Sequence, residues 1–152
     1  MSALIVRFTR LSPTHHRFEA IRADGERETR ELETRSLLLH DLVHFALESE
    51  AGLRDGFYGR LARGADYNAP AEGDAAWDIE GIVAPLQSAL KGEVDAAAFV
   101  ARIRTLRESV GGEAPSWLNE ALITRTLARV RQLQGQWRAT PFGETMELRF
   151  AV

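Results

Sequence analysis

Thr145-Met146-Glu147-Leu148-Arg149-Phe150 is the segment whose reading decides the fold. Met146, Leu148 and Phe150 alternate with Thr145, Glu147 and Arg149. That period of two puts one set of side chains on each face of a strand. A strand with one apolar face has no stability alone in water, so its partners must come from elsewhere in the chain. The strand-like patterns that can supply them lie in the first third.

Ala3 to Thr9 is a short β-branched and aromatic run. Leu11-Ser12-Pro13-Thr14 is a turn signal. His15 to Arg22 follows, with His16, Phe18 and Ala20 on one face and Arg17 and Glu19 on the other. Ala23-Asp24-Gly25-Glu26 marks a hairpin, because Asp-Gly suits the positive φ of a type I′ turn. Arg27 to Glu33 is a highly charged strand, a composition that fits a sheet edge.

The middle of the chain carries helical periodicity. Thr34 or Ser36 can cap a helix that runs to about Glu50, with Gly52 ending it. Its apolar arc comprises Leu38, Leu39, Leu42, Val43, Phe45, Ala46 and Leu47. Leu53 to Ala62 reads as a short helix loosened by Gly56 and Gly59. Gly64 to Ala76 is rich in Gly, Ala, Asp and Pro and reads as a loop. Trp77 to Leu90 is helical, with Pro85 able to kink it. Val94 to Val110 is a further helix, stopped by Gly111-Gly112. Ser116, after Pro115, is placed to cap the last helix, whose stripe is Leu122, Ile123, Leu127, Val130, Leu133 and Trp137. The sum is one α+β domain over residues 1–152. Three N-terminal strands and the C-terminal strand form an antiparallel sheet, and about five helices cover its apolar face.

Composition narrows the function classes. The chain has 152 residues, 45% hydrophobic and 27% charged, which is enough for a real core. A net charge of -3 argues against a general nucleic-acid or anionic-membrane binder. Cysteine is absent, so disulfides, thiol nucleophiles and thiolate metal sites are excluded. No secretory signal or membrane span is evident, and a cytoplasmic, bacterial protein is expected. Of 19 basic residues only Lys91 is lysine, a bias that fits a GC-rich genome. Glycine-rich phosphate loops, a GxSxG elbow and a dinucleotide fingerprint are all missing.

One constellation carries chemistry. In Leu37-Leu38-Leu39-His40-Asp41-Leu42-Val43-His44-Phe45-Ala46-Leu47-Glu48, two histidines stand four residues apart. On a helix that spacing stacks both imidazoles on one face, where they can share one Zn²⁺ or another divalent ion. Glu48, a turn further on, is placed as a third oxygen ligand or as an acceptor behind His44. Asp41 is placed to orient His40 or to act as a catalytic base. Equally, these residues suit the wetter face of an amphipathic helix, with His44 and Glu48 as an i,i+4 pair.

Other groups are weaker. His16 shares a face with Phe18 and Ala20 and is a further candidate ligand; a strand-end histidine near a turn is the simpler account. Arg125 and Arg129 with Gln132 and Gln136, and Arg102, Arg104 and Arg107, fit solvated helix faces. Phe57, Tyr58, Tyr67 and Trp77 flank the loop, as pocket lining or as packing.

Arg7-Phe8-Thr9-Arg10-Leu11-Ser12, Leu38 to Glu48, Gly52 to Phe57 and Trp137 to Gly143 together resemble a group of small uncharacterised bacterial proteins with an HDLVH helix. That resemblance touches most of the chain and implies no activity. His40-Asp41-Leu42-Val43-His44 is also similar to the HDxxH zinc motif of the ubiquinone-biosynthesis family called Coq-four. The resemblance implies a metal site with His40, Asp41 and His44 at the motif's His, Asp and His. The motif's downstream Glu would fall at Gly56, with Asp55 one residue off. That family is largely helical, so the metal site and not the quinone function carries over.

Two expectations follow. The first is a divalent-metal protein, a hydrolase or lyase acting on a small molecule. The second is a non-catalytic interaction or homo-oligomerisation module without metal, using surplus apolar helix faces.

Overall fold

The computed structural model describes residues 3–152. Strands β1 (Ala3–Arg10), β2 (His15–Ile21) and β3 (Arg27–Glu33) are followed by five helices: α1 (Thr34–Ala51), α2 (Phe57–Ala62), α3 (Gly73–Ala89), α4 (Ala96–Ser109) and α5 (Glu120–Ala139). Strand β4 (Thr145–Ala151) closes the order. The sheet is antiparallel throughout, in the order β3-β2-β1-β4. The C-terminal strand therefore joins the N-terminal hairpins, with Ala3 opposite Ala151 and Phe8 opposite Met146. The charged β3 is an edge, as its composition predicts.

Leu4, Val6, Phe8, Phe18, Ala20, Met146, Leu148 and Phe150 form the apolar face of the sheet. Leu38, Leu42 and Phe45 of α1, Tyr58 and Leu61 of α2, and Leu133 and Trp137 of α5 pack onto it. The helices do not all cover the sheet, however. Val43, Ala46 and Leu47 on another side of α1 meet Ile79, Ile82, Val83 and Leu86 of α3, with Phe99, Val100 and Ile103 of α4 in the same second core. Helix α1 is thus sandwiched, which its broad apolar arc requires.

Several local expectations are corrected. The β2–β3 turn is not type I′: Gly25 alone has positive φ, and Asp24 does not. Gly25 N–H donates to Arg22 O and Arg22 N–H to Glu26 O, the three-residue loop with a glycine bulge. Neither Thr34 nor Ser36 caps α1, which starts after Glu33 without a side-chain cap. Thr34 Oγ1 is spent on His16, and Ser36 Oγ donates to Glu33. Gly52, in the left-handed conformation, ends α1 as expected. Helix α3 starts at Gly73 and not Trp77, and Ala76 in its first turn is buried. Asn119, not Ser116, caps α5 by accepting from Leu122 N at 2.8 Å.

Candidate metal centre

The polar strip of α1 is not a wet surface. Asp41 is 1% exposed, and His44 and Glu48 are fully buried. Charges so placed are costly unless paired and hydrogen-bonded, and each has partners. Glu48 Oε2 accepts from His44 Nδ1 at 2.8 Å and from Phe57 N at 3.0 Å. Its Oε1 accepts from Tyr58 N at 3.0 Å. Glu48 therefore also serves the first turn of α2, whose leading N–H groups lack intrahelical acceptors. Asp41 Oδ2 accepts from Tyr67 Oη at 2.9 Å, and its main-chain carbonyl accepts from Tyr58 Oη at 2.7 Å. Nearby carboxylates and burial raise both tyrosine pKa values, burial first, so the phenols remain donors. Phe57, Tyr58 and Tyr67 are packing and support residues here. Trp77, by contrast, is exposed.

The two imidazoles share one arrangement. His40 Nδ1 lies 3.3 Å from Asp41 Oδ1, and His44 Nδ1 is held by Glu48. Both Nε2 atoms face a residue of α3. His44 Nε2 is 3.0 Å from Glu80 Oε1, and His40 Nε2 is 3.9 Å from Glu80 Oε2. The His44 approach lacks hydrogen-bond alignment, so its Nε2 is a buried nitrogen without a hydrogen-bond partner. The ring centroids are 4.6 Å apart. One ligand atom each from His40, His44 and Glu80 fits within 4.8 Å of the others.

This is a donor set that suits a divalent cation: two imidazole nitrogens and a carboxylate, with a carboxylate behind each ring. Carboxylates at both Nδ1 atoms place protons there and direct the Nε2 lone pairs of the neutral rings toward Glu80. His40 and Glu80 keep about one-third of their side-chain surface in solvent, 35% and 34%, so the site opens outward.

Electrostatics follow from the same contacts. The hydrogen bond to Asp41, then the nearby Glu80 carboxylate, pushes His40 up to about 9. Burial pulls His44 down, but Glu48 and Glu80 outweigh it and leave its pKa raised. The two imidazoles hold Glu80 well below the usual carboxylate range. Protons and a metal cation compete for the same nitrogens.

Of the residues singled out in the sequence, His40, Asp41, His44 and Glu48 are brought together. Glu48 takes the acceptor's position behind His44, and Glu80 supplies the carboxylate facing both Nε2 atoms. Glu80 carried only a faint sequence signal, a charged residue between Ile79 and Ile82 at the edge of an apolar stripe. His16 lies apart: its Nδ1 is 2.9 Å from Thr34 Oγ1, and its ring packs between Phe8 and Trp137. Gly56, where the HDxxH resemblance would put a Glu, has no room for one. A Cβ there would sit 2.5 Å from Glu48 Oε1. Surface depressions elsewhere among the described residues are lined by other side chains, and of this group only Glu48 borders one.

Compared with protein-family models, curated proteins and solved structures, the chain matches none.

Proposed function

We propose that the chain binds a divalent metal ion through His40, His44 and Glu80, and uses it in hydrolysis or lyase chemistry on a small molecule. The observation that carries this reading is the convergence of both Nε2 atoms on Glu80, with each Nδ1 secured by its own carboxylate. The buried, unbonded His44 Nε2 supports it further. When bound, the ion supplies Lewis acidity to an oxygen of the substrate or of water. Asp41 and Glu48 orient the imidazoles, and Asp41 is buried behind His40, so it acts through that ring and not as a free base. The shallow, outward-facing position of His40 and Glu80 suits a small or extended substrate that reaches the surface.

A metal-free reading has one observation in its favour. The 3.0 Å approach of His44 to Glu80 suits an imidazolium held between two carboxylates, an ionic tie between α1 and α3. The chain would then be a non-catalytic interaction module, with Trp77 (62% exposed), Leu106 (52%) and Val110 (80%) available to a partner.

Metal analysis separates the two. Protein stripped by chelator and titrated with Zn²⁺, Mn²⁺ or Fe²⁺ is expected to take up about one ion. His40→Ala, His44→Ala and Glu80→Gln are each expected to abolish or greatly weaken uptake. Wild-type protein that binds none of these ions would leave the ionic tie as the account of the cluster.

A further inference from the structure

Strand β4 leaves one edge of the sheet open. It pairs with β1 and has no strand on its other side. Arg10 N–H donates to Glu144 O, and the register steps from there by two, so Met146, Leu148 and Phe150 exchange main-chain bonds with β1. The N–H and C=O groups of Thr145, Glu147, Arg149 and Ala151 therefore point away from the sheet. No turn, cap or loop backbone bonds to them among the described residues. The opposite edge is guarded. Strand β3 carries charge on both faces, at Arg27, Glu28, Arg30, Glu31 and Glu33, and Arg30 is tied to Asp66 at 2.7 Å. Charge of that kind discourages edge pairing, whereas β4 has an unbroken apolar face and neither proline nor glycine.

The exposed face of β4 is complementary to itself. Two antiparallel copies paired about a two-fold axis at Leu148 set Glu147 opposite the partner's Arg149, and Arg149 opposite the partner's Glu147. Leu148 then faces the partner's Leu148, and Met146 the partner's Phe150. A slip of one residue would oppose main-chain groups that point the wrong way and would swap the faces. A slip of two would set Glu147 against the partner's Glu147, or Arg149 against the partner's Arg149. Charge thus selects a single register. Arg149 has no carboxylate in reach among the described residues, and this pairing supplies one. Glu147 keeps its bond from Arg7 Nε at 2.8 Å and lies between two guanidiniums. We infer that the β4 edge binds a second copy of this chain, joining the two sheets into one in a closed two-fold dimer.

The test is sedimentation velocity of chelator-treated protein, from about 10 μM to about 1 mM, so that the metal site plays no part. A monomer–dimer equilibrium is expected, with nothing larger, because a closed two-fold contact uses up the open edge. Glu147→Arg and Arg149→Glu each set like charges opposite one another and should weaken the dimer at least about tenfold. Arg149 is exposed and lies across the ladder from Ile5, so Arg149→Glu spares both the core and the Arg7–Glu147 pair. An equimolar mixture of the two single variants restores opposite charges across the axis and should recover the dimer. Trp77→Ser, on an exposed helix face, should leave the equilibrium unchanged. A strict monomer throughout the range would overturn the proposal. So would a dimer as strong in Arg149→Glu as in the wild type, a dimer lost in Trp77→Ser, a mixture that fails to recover it, or assemblies beyond two chains.

Discussion

Glu48 satisfies three donors with two oxygens, and no solvent reaches it. An amide cannot do the same, because one of its two ends is itself a donor. Glu48→Gln is therefore expected to cost about 1–3 kcal/mol in urea unfolding and to weaken metal uptake about 10–100-fold. Unchanged stability would mean that the hydrogen bonds to α2 contribute nothing net. His16 makes the pH prediction. Burial lowers its pKa below 6.5 despite the opposing field of Asp41, with His15 adding to the decrease. Below about pH 6.5 the unfolded chain takes up a proton that the folded chain refuses, so this residue's contribution to stability falls as pH falls. Above that pH its contribution is complete. His16→Asn removes the titration while keeping a polar group for Thr34 Oγ1. The wild type should lose more stability than the variant between pH 7 and pH 5; identical slopes would show that His16 is not held neutral. The other three histidines are common to both proteins and cancel in the comparison.

At the scale of elements, spacing within one helix was readable and contact between helices was not. The i,i+4 rule places His40, His44 and Glu48 on one strip of α1. It could not supply Glu80, because the docking of α3 on α1 is settled by Ile79, Ile82 and Val83 meeting Val43, Ala46 and Leu47. Nor could it reveal that the strip is buried, since that depends on α2 and on Tyr67 arriving over it. The helix starts failed for local reasons of the same kind: Asn119 and Ser116 are both good caps, and only the turn after Pro115 decides between them. Helix α3 also contains Pro85, well inside its span. A proline there removes one i→i−4 hydrogen bond, to the carbonyl of Gly81, and crowds that carbonyl. Pro85→Ala is expected to stabilise the protein by about 1–3 kcal/mol, read as a higher urea midpoint at unchanged m. A lower midpoint would show that the ring's packing outweighs the restored bond.

For the whole molecule, the alternation of Met146, Leu148 and Phe150 was the most informative pattern, because only one arrangement buries it. Strand β4 covers the flank of β1, and its three apolar side chains are nearly inaccessible, at 2%, 7% and 2% exposure. At about 1.5–3 kcal/mol for each buried side chain, their loss removes roughly 5–9 kcal/mol. That is comparable with the entire stability of a typical domain, about 5–15 kcal/mol. The loss does not stop at the sheet. Phe150 packs on Phe45 and Tyr58, and Tyr58 in turn holds the Asp41 carbonyl, so the last strand and the candidate metal centre share supports. A chain ending at Gly143 is thus expected to have no cooperative thermal transition and to bind a hydrophobic dye, with metal uptake abolished. Circular dichroism and dye fluorescence would check this together. A truncated chain that still melted sharply would show that α1 is held by the helix layer alone, and that β4 is an addition to the fold and not its closing element.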